Sequence, residues 1–243
     1  MLPRVFAFLA ILGIAAGLDA DQPAKQEKQK APREALQAFG DLIGTWKCTG
    51  TPTGSRDEVQ KGFWTEKMAW EWQFKDKDAW LKVVFEKGKH FSAGELRYVP
   101  EKEHFALTLT TVNKDKVTFV GTLETREKTN FLNVEREDGK DIHRLAFSFI
   151  HPGQRFTYTY QVKPDGRPLF ATKWKVGATN EGVVFAVGDG KPECIVSGGT
   201  ATTPVSYMGK TYYVCCSGCR DEFNAHAAKY VKEYEEKLKA KKK

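Results

Sequence analysis

The 243-residue chain shows no Ser-His-Asp arrangement, no glycine loop fit to cradle a phosphate and no carboxylate pair that stands out, so an enzyme reading has no candidate active site. A basic stripe interleaved with aromatics is also missing. The net charge is +7, but acidic and basic residues are mixed along most of the chain, and the C-terminal lysines alternate with Glu233, Glu235 and Glu236. That mixture suits a solvated helix face and argues against a nucleic-acid surface. Beyond residue 17 there is no long apolar run. The run that does occur, Val5 to Gly17 behind Arg4, reads as a signal peptide over residues 1–20, too short for a membrane span, and no cysteine follows it to take a lipid. The expectation is an exported protein, periplasmic or extracellular, with no stable span after cleavage at Gly17 or Ala20. Residues 21–35 are rich in Gln, Lys and Pro with little to bury, and read as a disordered tether.

From Leu36 to about residue 180 no helical pattern is evident. Short alternating segments rich in aromatic and β-branched residues recur instead, separated by Gly, Asp, Asn and Lys clusters. Ten strands are expected, around Trp46–Thr51, Phe63–Phe74, Trp80–Phe85, Phe91–Val99, Phe105–Val112, Val117–Leu123, Phe131–Arg136, Ile142–Phe149, Phe156–Val162 and Leu169–Val176. Phe156, Tyr158 and Tyr160 alternating with Arg155, Thr157 and Thr159 mark one buried and one wet face. Short links favour an up-and-down meander, and closing it into a barrel removes both exposed edges. Such a barrel holds either packed side chains or one small ligand.

The opening Gly44-Thr45-Trp46 resembles the first strand of lipocalin-like and fatty-acid-binding-protein-like barrels, and Leu96-Arg-Tyr-Val-Pro-Glu-Lys with Phe105-Ala-Leu-Thr is similar to an uncharacterised bacterial lipocalin-like family. The resemblance implies the fold over residues 36–180. Nitrobindin-type haem barrels share the Gly-Thr-Trp opening, but their haem needs a proximal His on a late strand. His143 is on an expected strand, where a haem role competes with an ordinary structural one, whereas His90, His104 and His151 fall at strand ends or turns. Cys48, on the face of Trp46, reads as a core residue.

Cysteine is scarce and unevenly placed, four of the five lying between Cys194 and Cys219. The glycines and Pro192 ahead of them punctuate a boundary, so residues 190–239 read as a second module and 240–243 as a basic tail. Val205–Tyr207 and Thr211–Val214 should form a hairpin about Met208-Gly-Lys210. Asp221–Lys239 should form a helix, with Phe223, Ala227, Tyr230, Val231 and Tyr234 on one side. So small a unit with so few large aliphatics needs a staple.

Cys194, then Gly209-Lys210-Thr-Tyr212-Tyr213, then Cys215-x3-Cys219 and Phe223 resemble the YHS and TRASH families of small metal-binding modules. The resemblance implies a treble-clef-like hairpin and helix that binds a heavy metal through Cys194, Cys215 and Cys219. The chain departs from those families at Cys215-Cys216 and at Asn224-Ala-His226. Cys216 or His226 could add a fourth donor, with Cys216 favoured by spacing and His226 two helical turns past Cys219. Thiolate donors suit Zn or Cu. Two other uses of the thiols stay open: disulfides, natural in an oxidising compartment, and a redox pair, since Cys216-Ser-Gly-Cys219 is formally a C-x-x-C although no βαβ pattern surrounds it.

The expected molecule is therefore mainly β, a ten-stranded up-and-down lipocalin-like barrel followed by a hairpin-plus-helix module. Its expected role is non-enzymatic: metal sequestration, sensing or delivery. The alternative is a barrel that carries a small apolar ligand, with the cysteine module as a disulfide-stapled cap.

Overall fold

The computed structural model describes residues 30–127, 129–151, 153–181 and 192–241. The expected signal peptide, most of the expected tether and most of the boundary before Pro192 lie outside them. Ten antiparallel strands run β1 Gly44–Pro52, β2 Trp64–Lys75, β3 Asp78–Glu86, β4 Phe91–Val99, β5 His104–Thr111, β6 Lys116–Arg126, β7 Thr129–Asp138, β8 Asp141–His151, β9 Arg155–Lys163 and β10 Ala171–Asn180. Each pairs with its sequence neighbours, and β1 also pairs with β10, closing the barrel. The period of two is what makes closure work. Trp46 and Cys48 in β1, Met68, Trp70 and Trp72 in β2, and Leu81, Val83 and Phe85 in β3 all turn to the same buried side.

Two helices were not expected: one takes residues 32–35 out of the expected disordered tether, because Ala35 and Leu36 find a buried place, and the other lies within the alternating region. α1, Pro32–Leu36, and the 3-10 segment Gln37–Leu42 that follows it plug one end of the barrel. Leu36, Phe39 and Leu42 are buried, Phe39 packs edge-on against Phe105 and Phe149, and Trp46 Nε1 donates to the Leu42 carbonyl. The run is too short to show a helical period, so its apolar residues were legible only as composition. α2, Arg56–Gly62, bridges β1 and β2. It carries a capping box, in which the Ser55 hydroxyl accepts from Glu58 N–H while Glu58 Oε2 takes the Ser55 N–H at 2.7 Å, and it buries nothing. With Val59 its one large apolar side chain, the helix shows no apolar period.

The inward positions of the barrel hold large rings in mutual contact. Trp46 meets Phe156 at 4.7 Å, Tyr158 meets Phe147 at 5.2 Å, and Trp174 stacks on Tyr160 and on His90. Gly50 is what lets Trp64 lie against β1, since a Cβ there would fall 2.0 Å from the indole. His143 is half-buried and shares a hydrogen bond with the Tyr160 hydroxyl.

One carboxylate breaks the apolar lining. Glu66 shares the inward face of Met68 and Trp70 and is buried. It accepts from Tyr158 Oη at 3.0 Å, from the Lys89 N–H at 3.0 Å and from Trp64 Nε1 at 3.2 Å, so the hairpin turn after β3 is tied to β2 and β9. Burial, and then Glu66, push the Tyr158 hydroxyl well above its ordinary range.

After the barrel, β11 Thr203–Tyr207 and β12 Lys210–Val214 form a hairpin, and α3 Ser217–Lys241 follows. The hairpin turn has positive φ at both Met208 and Gly209, the mirror-image geometry that suits strand twist. Phe223 and Tyr230 are buried, and Ala227, Val231 and Tyr234 pack against the core, which is the helix face expected from spacing. α3 starts four residues ahead of the expected Asp221, a shift that brings Cys219 into its first turn. Among the described residues no helix is long and apolar enough to cross a membrane.

The ring of donors around Glu66 sets a graded expectation. Tyr158→Phe removes one hydrogen bond and should cost about 1 kcal/mol, while Glu66→Ala leaves one buried and two part-buried donors without their acceptor and should cost about 2–3 kcal/mol. Urea unfolding followed by tryptophan fluorescence would check the order.

Candidate metal centre

Cys194 opens a tight knuckle. Its N–H donates to the Gly199 carbonyl at 2.6 Å, and Gly198, with φ +80°, returns its N–H to the Cys194 carbonyl at 2.8 Å. The Ile195 N–H donates to the Tyr213 carbonyl at 2.9 Å and the Thr202 N–H to the Val214 carbonyl at 3.2 Å. These bonds lash the knuckle to β12 just before Cys215. Cys216 stands at the N-cap of α3, its carbonyl accepting the Arg220 N–H at 3.0 Å, and Cys219 lies three residues on.

The sulfurs converge as a result. Those of Cys194, Cys215 and Cys219 all lie within 4.8 Å of one another. Cys215 Sγ is 3.5 Å from Cys219 Sγ and 3.9 Å from Cys216 Sγ. A tetrahedral ion with metal–sulfur bonds of about 2.3 Å needs sulfur–sulfur edges of about 3.8 Å. The donor set fits a soft or borderline metal, and the cluster could hold one. None of the five cysteines forms a disulfide. Cys194 and Cys219 are buried, at 1% and 0% exposure, whereas Cys215 and Cys216 are half-buried and make the face open to solvent.

Hydrogen bonds divide charge among the sulfurs. Cys194 is held below the usual thiol range, first by Cys215 and Cys219 and then by Ser197, whose N–H donates to its sulfur at 3.4 Å. Cys216 is likewise lowered, by Cys215 and Cys219 and by the backbone N–H groups of Cys219 and Trp72. Cys215 is raised because it gives up hydrogen bonds to Cys194 and Cys216, and burial raises Cys219 most of all. The helix N-terminus adds partial positive charge beside Cys216. Cys48 is elsewhere, inside the barrel, with its thiol pushed up to about 12 by burial and then by Glu66 and Glu181.

The structure gathers Cys194, Cys215 and Cys219, with Cys216 beside Cys215. It does not bring His226 to the cluster: that imidazole is exposed on α3, at a residue whose φ of −136° kinks the helix. Ser197 and the Trp72 backbone were not anticipated. Ser197 is buried with its hydroxyl 3.4 Å from Cys215 Sγ, and its place three residues after a cysteine was the available signal. Trp72 acts through its peptide group, which no side-chain pattern can advertise.

No family model matches the chain, and no curated protein matches it. Twelve chains of solved structures do. One is the crystal structure of Rv2717c from M. tuberculosis, at 16% identity and a TM-score of 0.44, covering 60% of this chain and 97% of that one. A likeness at that level carries no argument about what this protein does.

The charge division predicts thiol reactivity in the reduced, metal-free protein. Cys216 is half-exposed and lowered, so its thiolate persists as pH falls and its alkylation should stay fast at pH 6, where an ordinary thiol has slowed by roughly a hundredfold from its value near pH 8.5. Among the four clustered thiols Cys219, buried and raised, should react last at every pH. Peptide mapping after timed iodoacetamide treatment would give the order.

Proposed function

We propose that this is an exported, non-enzymatic protein that binds zinc or copper through a YHS/TRASH-like C-terminal module, for metal sequestration, sensing or delivery. The observation that carries this reading is the convergence of Cys194, Cys215 and Cys219, with Cys216 Sγ 3.9 Å from Cys215 Sγ. A disulfide staple needs only two sulfurs side by side. Here three sulfurs lie within 4.8 Å of one another and a fourth lies 3.9 Å from Cys215, which supports an ion among them. The hydrogen bonds to Cys194 and Cys216 also stabilise thiolates, the form that binds metal. Zinc and copper follow from the all-sulfur donor set, which suits neither Mg nor Ca.

The carrier reading draws less support, because the inward face of the barrel is occupied by rings in contact and by a carboxylate whose bonds are all to protein groups. Export rests on the Arg4 to Gly17 pattern alone.

Native mass spectrometry of the mature protein, purified without chelator, with counting of free thiols, tests the proposal. One bound Zn or Cu, lost in both Cys194→Ala and Cys219→Ala, is the expected result. A metal-free protein lighter by the hydrogens of one or two disulfides would overturn it.

A further inference from the structure

Cys216 owes its surroundings to the barrel. β1 and β2 pair from Gly50 and Trp64 up to Gly44 and Trp70, where β1 begins. β2 runs on to Lys75, paired with β3 along its other side. Trp72 is therefore the next ladder position on the β1 side, and among the described residues no strand pairs with it there. The C-terminal module takes that place. The Trp72 carbonyl lies so close to Gly218 that a Cβ there would fall 1.7 Å from the oxygen, and the Trp72 N–H shares that edge beside the start of α3. Ser217 Oγ donates to Glu71 Oε2 at 2.7 Å beside it.

Cys216, two residues before Gly218, is placed by this contact, and its Sγ lies 3.9 Å from Cys215 Sγ, next to the trio whose sulfurs lie within 4.8 Å of one another. That spacing matches one edge of a thiolate tetrahedron, and the sulfur sits at the N-terminus of a helix, whose partial positive charge suits a thiolate. We propose that the free edge of β2 completes the metal centre by holding Cys216 as its fourth thiolate, making a tetrahedral four-sulfur site for a divalent ion of the zinc class.

The inference rests on the metal-binding reading above and narrows it. Each thiol that still carries a proton loses it to solvent as its sulfur binds, and four thiolates around a divalent ion leave a net charge of −2. That charge meets the N–H groups of Ser197, Cys219 and Trp72, the Ser197 hydroxyl and the α3 N-terminus. Monovalent copper, satisfied by two or three thiolates, would have no use for Cys216. The Trp72 peptide acts as a positioning group, reaching the ion only through sulfur.

The experiment uses the full mature chain, reduced, titrated with Co(II) and then with Zn(II) against a chromophoric chelator. Wild type should take one Co(II) with the intense ligand-field bands of a tetrahedral four-thiolate ion. Cys216→Ser should still bind, with bands moved to a three-sulfur pattern and Zn affinity lower by tenfold or more. Gly218→Ala keeps all four cysteines but pushes α3 off Trp72, and should weaken Zn binding about tenfold. Because that variant risks misfolding, amide hydrogen exchange on wild type supplies an independent measure: Zn should slow exchange at Trp72, and should fail to do so in Cys216→Ser. If Cys216→Ser matches wild type in spectrum and affinity, or Zn leaves Trp72 exchange unchanged, the inference falls while the metal reading stands. If the reduced wild type binds neither ion, both fall.

Discussion

A strand longer than its neighbour organises this molecule. β2 has twelve residues against nine in β1, and its last part, from Glu71 onward, passes the end of its partner. Bare peptide groups at a sheet edge are both unsatisfied and adhesive, so the overhang has to be covered. Cover comes from the start of α3, with Gly218 over the Trp72 carbonyl and Ser217 bonded to Glu71. The requirement for a close approach explains why the residue between Cys216 and Cys219 that faces the strand is Gly218. The same contact sets where the thiols lie relative to the barrel.

The second support is the plug. Arg33 pairs with Glu233 at 3.1 Å and lies over the Tyr230 ring, while the backbone at Gly40 packs against Gly199 in the knuckle. Leu36 and Phe39 on this segment face the barrel interior. One short stretch therefore closes the barrel and supports the cysteine knuckle, with apolar burial on one side and charge and backbone contact on the other. The ion pair is partly exposed and contributes little alone. The buried side chains carry the weight.

Much of this was legible in the sequence, for identifiable reasons. Each of the ten strands could be placed because alternation is a local signal, and Met208-Gly-Lys210 announced its hairpin by turn chemistry. The resemblance to small metal-binding modules picked out the three sulfurs that converge, along with His226, which the structure leaves outside the cluster. What stayed hidden was either short, polar or borne by the main chain. The plug is too brief to show a period, α2 has no apolar face, and Glu66 looked like one more charged residue in a strand until three donors met it. The contribution of Trp72 comes from its peptide group, whose identity is the same at every position.

Cys48 is the one sulfur outside this arrangement, enclosed by the barrel, beside Glu66 in the strand pairing and protonated at any ordinary pH. It can reach neither oxidant nor partner while the barrel holds. A thiol reagent applied to the native protein therefore reads the C-terminal cluster alone, and a fifth reactive sulfur appears only when the barrel opens. The chain thus carries its own internal reporter of unfolding, separate from the chemistry of the other four.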